Sequence, residues 1–282
     1  MSDHRTNSMS FRWVVCALLL FSTTVNYMDR QVIGYLKEFF CTSADKGGFG
    51  WTNSDFANVT AAFTAFYAGM TIIAGLVIDK IGTKLGLAIS LLIWSIFGIL
   101  NAFAGSLVWM HIIVRSAFGI GEAGNFPASI KTVAEWFPKR ERALATGIFN
   151  SGSNLGAMIG ALFVPWCLIH FGEQAGWKMA YILTGLAGLP WLIFWFWLYD
   201  TPARKAGLSK TEYDYIHSDD EEPSTAEPTG KVPWKQLLGY RQTWAFFFGK
   251  FLTDGVWWFY LFWLPDYLKK QFGMTKHEVM LP

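Results

Sequence analysis

The sequence predicts an all-α polytopic membrane protein: a six-helix bundle, a linker and one further spanning helix. Three observations carry this expectation. Of 282 residues, 52% are apolar and 18% aromatic, and only 16% are charged, against about 25% charged residues in soluble domains. The apolar residues fall into seven runs, each near the roughly 20 residues a helix needs to cross a hydrocarbon core. The connections are asymmetric, with fourteen Lys and Arg on one side and six on the other, and basic residues stay on the cytoplasmic side. The N-terminus is therefore expected inside. A net charge of +2 points to no charged partner class and gives no footing for nucleic acid.

Taken in order, the spans are expected at about 11–35, 56–78, 85–105, 107–128, 143–166, 179–199 and 243–264. Residues 1–10 then form a cytoplasmic tail, 11–199 the bundle, 200–242 a cytoplasmic linker, and 243–282 the seventh helix with the start of an incomplete second bundle. The first run lacks a small-residue cleavage site and carries Asp29-Arg30 near its outer half, which reads as an uncleaved helix and not a signal peptide. The stretch from Asp219 to Pro228 is acidic, Pro-bearing and poor in large apolar residues, so it cannot bury a core and is expected to be flexible. Cys16, Cys41 and Cys167 show no metal or redox spacing.

Four ionisable residues stand inside apolar runs: Asp29 and Arg30 in the first, Arg115 and Glu122 in the fourth. Each costs at least about 2.5–3.5 kcal/mol at bilayer depth, which marks a polar path. Glu122 lies two turns beyond Arg115, about 10 Å along the axis, so the two cannot pair directly. Crossed pairs are expected instead, Arg115 with Asp29 and Glu122 with Arg30. A carboxylate in a helix bundle can take up a proton, whereas a guanidinium stays charged, a combination suited to an anion that moves with protons. Arg115, Gly119, Ala123 and Pro127 recur every four residues, a stripe on which another helix can approach closely. His111, near the outer end of this run, reads as a satisfied interface histidine.

Between the second and third runs stand Gly75, Asp79-Lys80, Gly82 and Lys84. Gly75 is expected to admit a neighbouring backbone, Gly82 to make a tight turn, and Asp79 to accept from a helix N-terminus or a basic side chain. This pattern resembles the loop signature of the major facilitator superfamily, and the fourth-run stripe resembles that superfamily's fourth-helix motif. The segments Asn26-Tyr27-Met28-Asp29-Arg30, Gly121–Ala128, Ala134–Gly156 and Phe251–Pro265 are similar to the anion:cation symporter family, within it to bacterial hexuronate carriers. The resemblance implies proton-coupled symport of a sugar-acid anion, a hexuronate first, with aldonates, aldarates or another organic anion as the alternative. It implies a multi-pass protein of the bacterial inner membrane, monomeric at full length.

By that resemblance Arg30 binds the substrate carboxylate with Tyr27, Tyr67 and Asn150 near the sugar. Asp29 and Glu122 carry protons and Arg115 modulates them. Trp257 and Tyr260, three apart on the seventh span, are expected to stack on a sugar ring. Gly75, Asp79, Lys80, Gly82 and Lys84 form a gating motif. Lys131, Glu135 and Lys139 to Arg142 are expected at a cytoplasmic gate contact. Lys250 is expected to neutralise Asp254. No cofactor is expected beyond the proton as coupling ion, and no nucleophile–base or metal constellation points to an enzyme.

Carriers of this superfamily hold substrate between two helical halves. The chain carries one half, the linker and one more helix, and so reads as truncated after the seventh helix. Residues 1–282 alone are expected to support little uptake. A non-transporting sensor or an inactive half is the reading of a different class.

Overall fold

The computed structural model describes residues 10–219 and 234–273, and every regular element among them is helical. Two compact units divide the chain, residues 1–219 and 220–282. The acidic linker stretch from Asp220 to Pro228 lies outside the described residues.

In the first unit the order is α1 (Phe11–Tyr35), α2 (Lys37–Cys41), α3 (Asn53–Ile81), α4 (Thr83–Leu100), α5 (Val108–Glu122), α6 (Asn125–Trp136), α7 (Lys139–Phe171), α8 (Glu173–Leu198) and α9 (Lys210–Ile216). The second unit holds α10 (Trp234–Leu237), α11 (Arg241–Phe262) and α12 (Leu264–Phe272). Among the described residues five helices are long and apolar enough to cross a membrane, namely α1 continued through α2, α3, α4, α7 and α8. The fourth expected span differs: it is two helices, α5 and α6, broken at Ala123-Gly124. Pro127 has no N–H to give the carbonyl of Ala123, so the ladder lapses there. α11 is not among the five, its run being diluted by Lys250, Asp254 and its tryptophans.

Glycines set how closely these helices pack. α1 lies along α7, where Gly152, Gly156 and Gly160 recur every four residues. A Cβ on Gly156 would stand 2.3 Å from the Thr24 carbonyl, and one on Gly152 2.7 Å from that of Leu20. The two backbones touch with nothing between them, the arrangement small residues permit in membranes. The expected stripe on the fourth span holds in part: a Cβ on Gly119 would meet the Phe63 carbonyl of α3 at 2.8 Å. Gly82 ends α3 and opens α4 at φ 86°, a left-handed conformation that glycine adopts without strain.

Short connections alternate the helices between two ends. At the end away from the start of α1, Phe40, Phe49, Trp51 and Trp177 box the fully buried His111, whose Nε2 lies 3.0 Å from the Gly105 carbonyl. The ring is packed and bonded through Nε2, but its buried Nδ1 has no hydrogen-bond partner, so the expected satisfaction holds for one nitrogen only.

At the end where α1 begins, α9 docks on the bundle. Glu212 accepts the Arg12 N–H in the first turn of α1 at 3.2 Å, and Asp219 accepts that of Arg140 in the first turn of α7 at 3.3 Å. The N-cap residues Ser10 and Pro138 give their helices no side-chain cap. The Tyr215 ring lies 4.6 Å from the guanidinium carbons of both Arg12 and Arg140, and its hydroxyl donates to Glu141. Glu212→Ala is expected to cost about 1 kcal/mol, the usual worth of a helix cap. Chemical unfolding of the purified protein measures it, and a change within error would mean the cap is idle.

Candidate functional site

Arg30 and Glu122 meet in the interior of the first unit. Arg30 Nε donates to Glu122 Oε2 at 2.9 Å, and the side chains are 3% and 0% exposed, too little for water to screen the pair. The Arg30 guanidinium carbon lies 4.6 Å from the ring centroids of Tyr27 and Tyr67 and 5.6 Å from that of Phe63. Aromatic faces attract a cation and hold the plane of the fork. α1, α3 and α5 thus bring together Arg30, Tyr27, Tyr67 and Glu122.

The other crossed pair is not made. Arg115 Nη2 donates to the backbone carbonyl of Arg30 at 3.3 Å, and its guanidinium carbon sits 4.8 Å from Phe63 and 4.7 Å from Phe118. Asp29 is within electrostatic range of Arg115 without bonding to it, and its polar neighbours are Thr184 of α8 and Trp94 of α4. The reason is geometric. Successive helix residues point about 100° apart, so when Arg30 is turned toward α3 and α5, Asp29 is turned toward α4 and α8.

Asn150 stands apart from this group. It is exposed on α7, and its backbone carbonyl accepts the Ser153 hydroxyl at 2.7 Å. Trp257 and Tyr260 lie on α11 in the second unit, exposed at 40% and 55%. On the same helix Lys250 and Asp254 pair at 2.8 Å, the neutralisation expected of them.

Gly75, Asp79, Lys80, Gly82 and Lys84, the residues expected to form a gating motif, lie at the end where α1 begins. Asp79 accepts from Lys131 at 2.8 Å, a basic side chain from α6. Lys84 reaches Asp200 at 3.2 Å, and Lys80 is exposed. Gly75 departs from expectation: nothing stands within 4 Å of where its Cβ would be, because that face of α3 meets no neighbour among the described residues. Burial pushes the Asp200 carboxyl up, but the Thr201 N–H and Lys84 outweigh it and hold it below the usual carboxylate range. Its contribution to stability is therefore complete above the unfolded value of about 3.9 and fades as pH falls through the lowered one.

A buried cluster beside this motif escaped the sequence reading. The Tyr199 hydroxyl contacts Thr83 Oγ1 at 2.6 Å and donates to Glu135 Oε2 at 2.8 Å. Its members come from three helix ends far apart in sequence, so no local spacing announces them. The stripe Gly152, Gly156, Gly160 also escaped notice, although its four-residue spacing was there to find. Cys16, Cys41 and Cys167 are free thiols, and no metal-binding group of His, Cys, Asp or Glu occurs among the described residues.

Comparison with known proteins places this geometry. Residues 19–281 match the family model described as Major Facilitator Superfamily. The chain is 31% identical to the hexuronate transporter of Escherichia coli K12 over 96% of its own length and 60% of that protein's. It is 31% identical to the galacturonate transporter of Dickeya chrysanthemi, covering 96% of this chain and 75% of that one. Against the D-galactonate transporter of Escherichia coli O6:H1 the identity is 30%, with 94% and 61% covered. The chain thus spans about 60% of the length of most of these relatives. Its fold is similar to the crystal structure of a bacterial homologue of the human lysosomal transporter Spinster, in an inward-facing, unoccupied conformation. The TM-score there is 0.72 at 20% identity, over 97% of this chain and 59% of that one. On the family match, the shared fold and the buried charges within it, the chain belongs to the Major Facilitator Superfamily.

Proposed function

We propose that this chain supplies the anion- and proton-handling wall of a sugar-acid carrier in the bacterial inner membrane, with the end where α1 begins on the cytoplasmic side. The observation that carries this reading is the buried Arg30–Glu122 contact held between Tyr27 and Tyr67. A guanidinium fork suits a carboxylate, and the tyrosines offer hydroxyls and ring faces to a polyhydroxylated body. Substrate carboxylate and Glu122 compete for one cation. A proton on Glu122 removes the competitor, so anion and proton are favoured together, which is the requirement for symport.

A hexuronate is the first substrate, supported by the names of the hexuronate and galacturonate relatives. Aldonates and aldarates come second, supported by the galactonate and galactarate/glucarate relatives. Tryptophan-fluorescence titration of the purified protein in nanodiscs with glucuronate, galacturonate, galactonate and glucarate tests this. Binding is expected to saturate and to tighten as pH falls. Arg30→Ala should weaken it at least about 30-fold, the cost of truncating one partner of a buried charge contact. Glu122→Gln should abolish its pH dependence. Unchanged affinity in Arg30→Ala would refute the assignment.

A further inference from the structure

Asp29 stands at one end of a run of buried polar side chains that the Arg30–Glu122 contact does not use. On α1, Ser22, Asn26 and Asp29 follow at intervals of four and three. On α6, Asn125, Ser129 and Thr132 repeat that spacing, so each set lines one helix face. The two faces meet where the Ser22 hydroxyl donates to Asn125 Oδ1 at 2.8 Å. All six residues are at most 3% exposed. Beyond Thr132 the run continues through Tyr199 and Thr83 to the half-buried Glu135, at the end where α1 begins. From Asp29 to Thr132 the distance is about 20 Å, taking 1.5 Å per residue along each helix.

Along this run Asn26 Nδ2 and Ser129 Oγ have no hydrogen-bond partner, and Asp29 with Trp94 and Thr184, like Thr132 with Tyr199, are polar neighbours that make no well-formed hydrogen bond. Each such atom costs several kcal/mol in a membrane interior. A core needing only close packing would be stabler with apolar residues at these sites. Groups of this kind, aligned on facing helices, are the sites that buried water satisfies. Arg115 and Glu122 face Asp29 electrostatically from α5, with Arg30 its neighbour on α1, whereas Trp94 and Thr184 on the remaining sides do not titrate.

We propose that this column carries protons between Asp29 and the end of the bundle where α1 begins, apart from the face that receives the anion. It rests on the reading that Asp29 handles the coupling proton. Asp29 gives its proton to an adjoining water. Each hydroxyl or water in turn accepts one proton and passes one on, with Asn26 and Asn125 orienting the waters. One proton leaves to solvent beside Glu135, and no bond between heavier atoms changes.

Hydroxyl-radical footprinting of the purified protein in nanodiscs reads water at the Trp94 indole. Trp191 is the control, being 2% exposed with its Nε1 donating to the Leu18 carbonyl. Trp94 should be labelled at least about fivefold faster than Trp191, as a hydrated column requires, and Ser129→Val should bring it down to the control. In a stopped-flow pH jump followed with a soluble dye, Asp29→Asn identifies the component of proton exchange due to Asp29. Thr132→Val, nearly isosteric, should slow that component at least about tenfold while leaving sugar-acid affinity unchanged. Equal labelling of the two tryptophans, or an unchanged rate in Thr132→Val, would overturn the column. Absence of sugar-acid binding with both column results intact would overturn the carrier reading and leave the column standing.

Discussion

Glu122→Leu is expected to destabilise the protein by about 3–5 kcal/mol, because it leaves a guanidinium at 3% exposure without its carboxylate. Arg30→Met should cost clearly less. The carboxylate left behind can take up a proton and become neutral, whereas a guanidinium cannot lose one. The double variant Arg30→Met/Glu122→Leu should recover most of the loss, since exchanging a buried ion pair for packed apolar side chains is often neutral or stabilising. Unfolding titrations of the three variants in one detergent form a double-mutant cycle. Single variants that lose under about 0.5 kcal/mol would show that the pair is hydrated and exchangeable in the folded protein, against the geometry. A recovering double variant that no longer binds sugar acids would show why an expensive pair is kept.

Gly156→Ala is the second large effect. One added methyl would stand 2.3 Å from the Thr24 carbonyl and 2.9 Å from the Met28 nitrogen. Both contacts are backbone, so no side chain can swing aside, and α7 must separate from α1. Overpacking of this kind costs about 1–3 kcal/mol and occasionally more. The same helix of α1 carries Asp29 and Arg30, so sugar-acid affinity should fall with stability. Gly147→Ala is the control, since nothing lies within 4 Å of its added carbon. Equal stability of the two variants would refute the close α1–α7 contact.

How much of this was legible beforehand differs by feature. α1 spans Phe11–Tyr35 as the apolar run indicates, because a continuous apolar stretch in lipid has few options other than a helix. The fourth run reads as one span by hydropathy, yet Pro127 divides it. The missing N–H was visible in the sequence, but hydropathy does not register hydrogen bonds. The Arg30–Glu122 contact was legible as a question of partners, since two buried charges two turns apart on one helix must look elsewhere. The Asp29–Arg115 pairing was the wrong answer to the same question, as partner counting ignores the direction in which adjacent residues point.

By itself the sequence determined the class of solvent, the order of the apolar runs, and the charges lipid would reject. All of these follow from properties summed along the chain or repeated at short spacing. Only the tertiary structure decided that Arg30 turns to Glu122 while Asp29 turns to Trp94 and Thr184, that Glu212 of α9 caps α1 and Asp219 beyond it caps α7, and that Ser22 joins Asn125. Those contacts link residues 92, 200 and 103 positions apart in the case of Arg30–Glu122, Arg12–Glu212 and Ser22–Asn125. Which helix face meets which is set by packing the whole bundle at once, and no local pattern contains that choice.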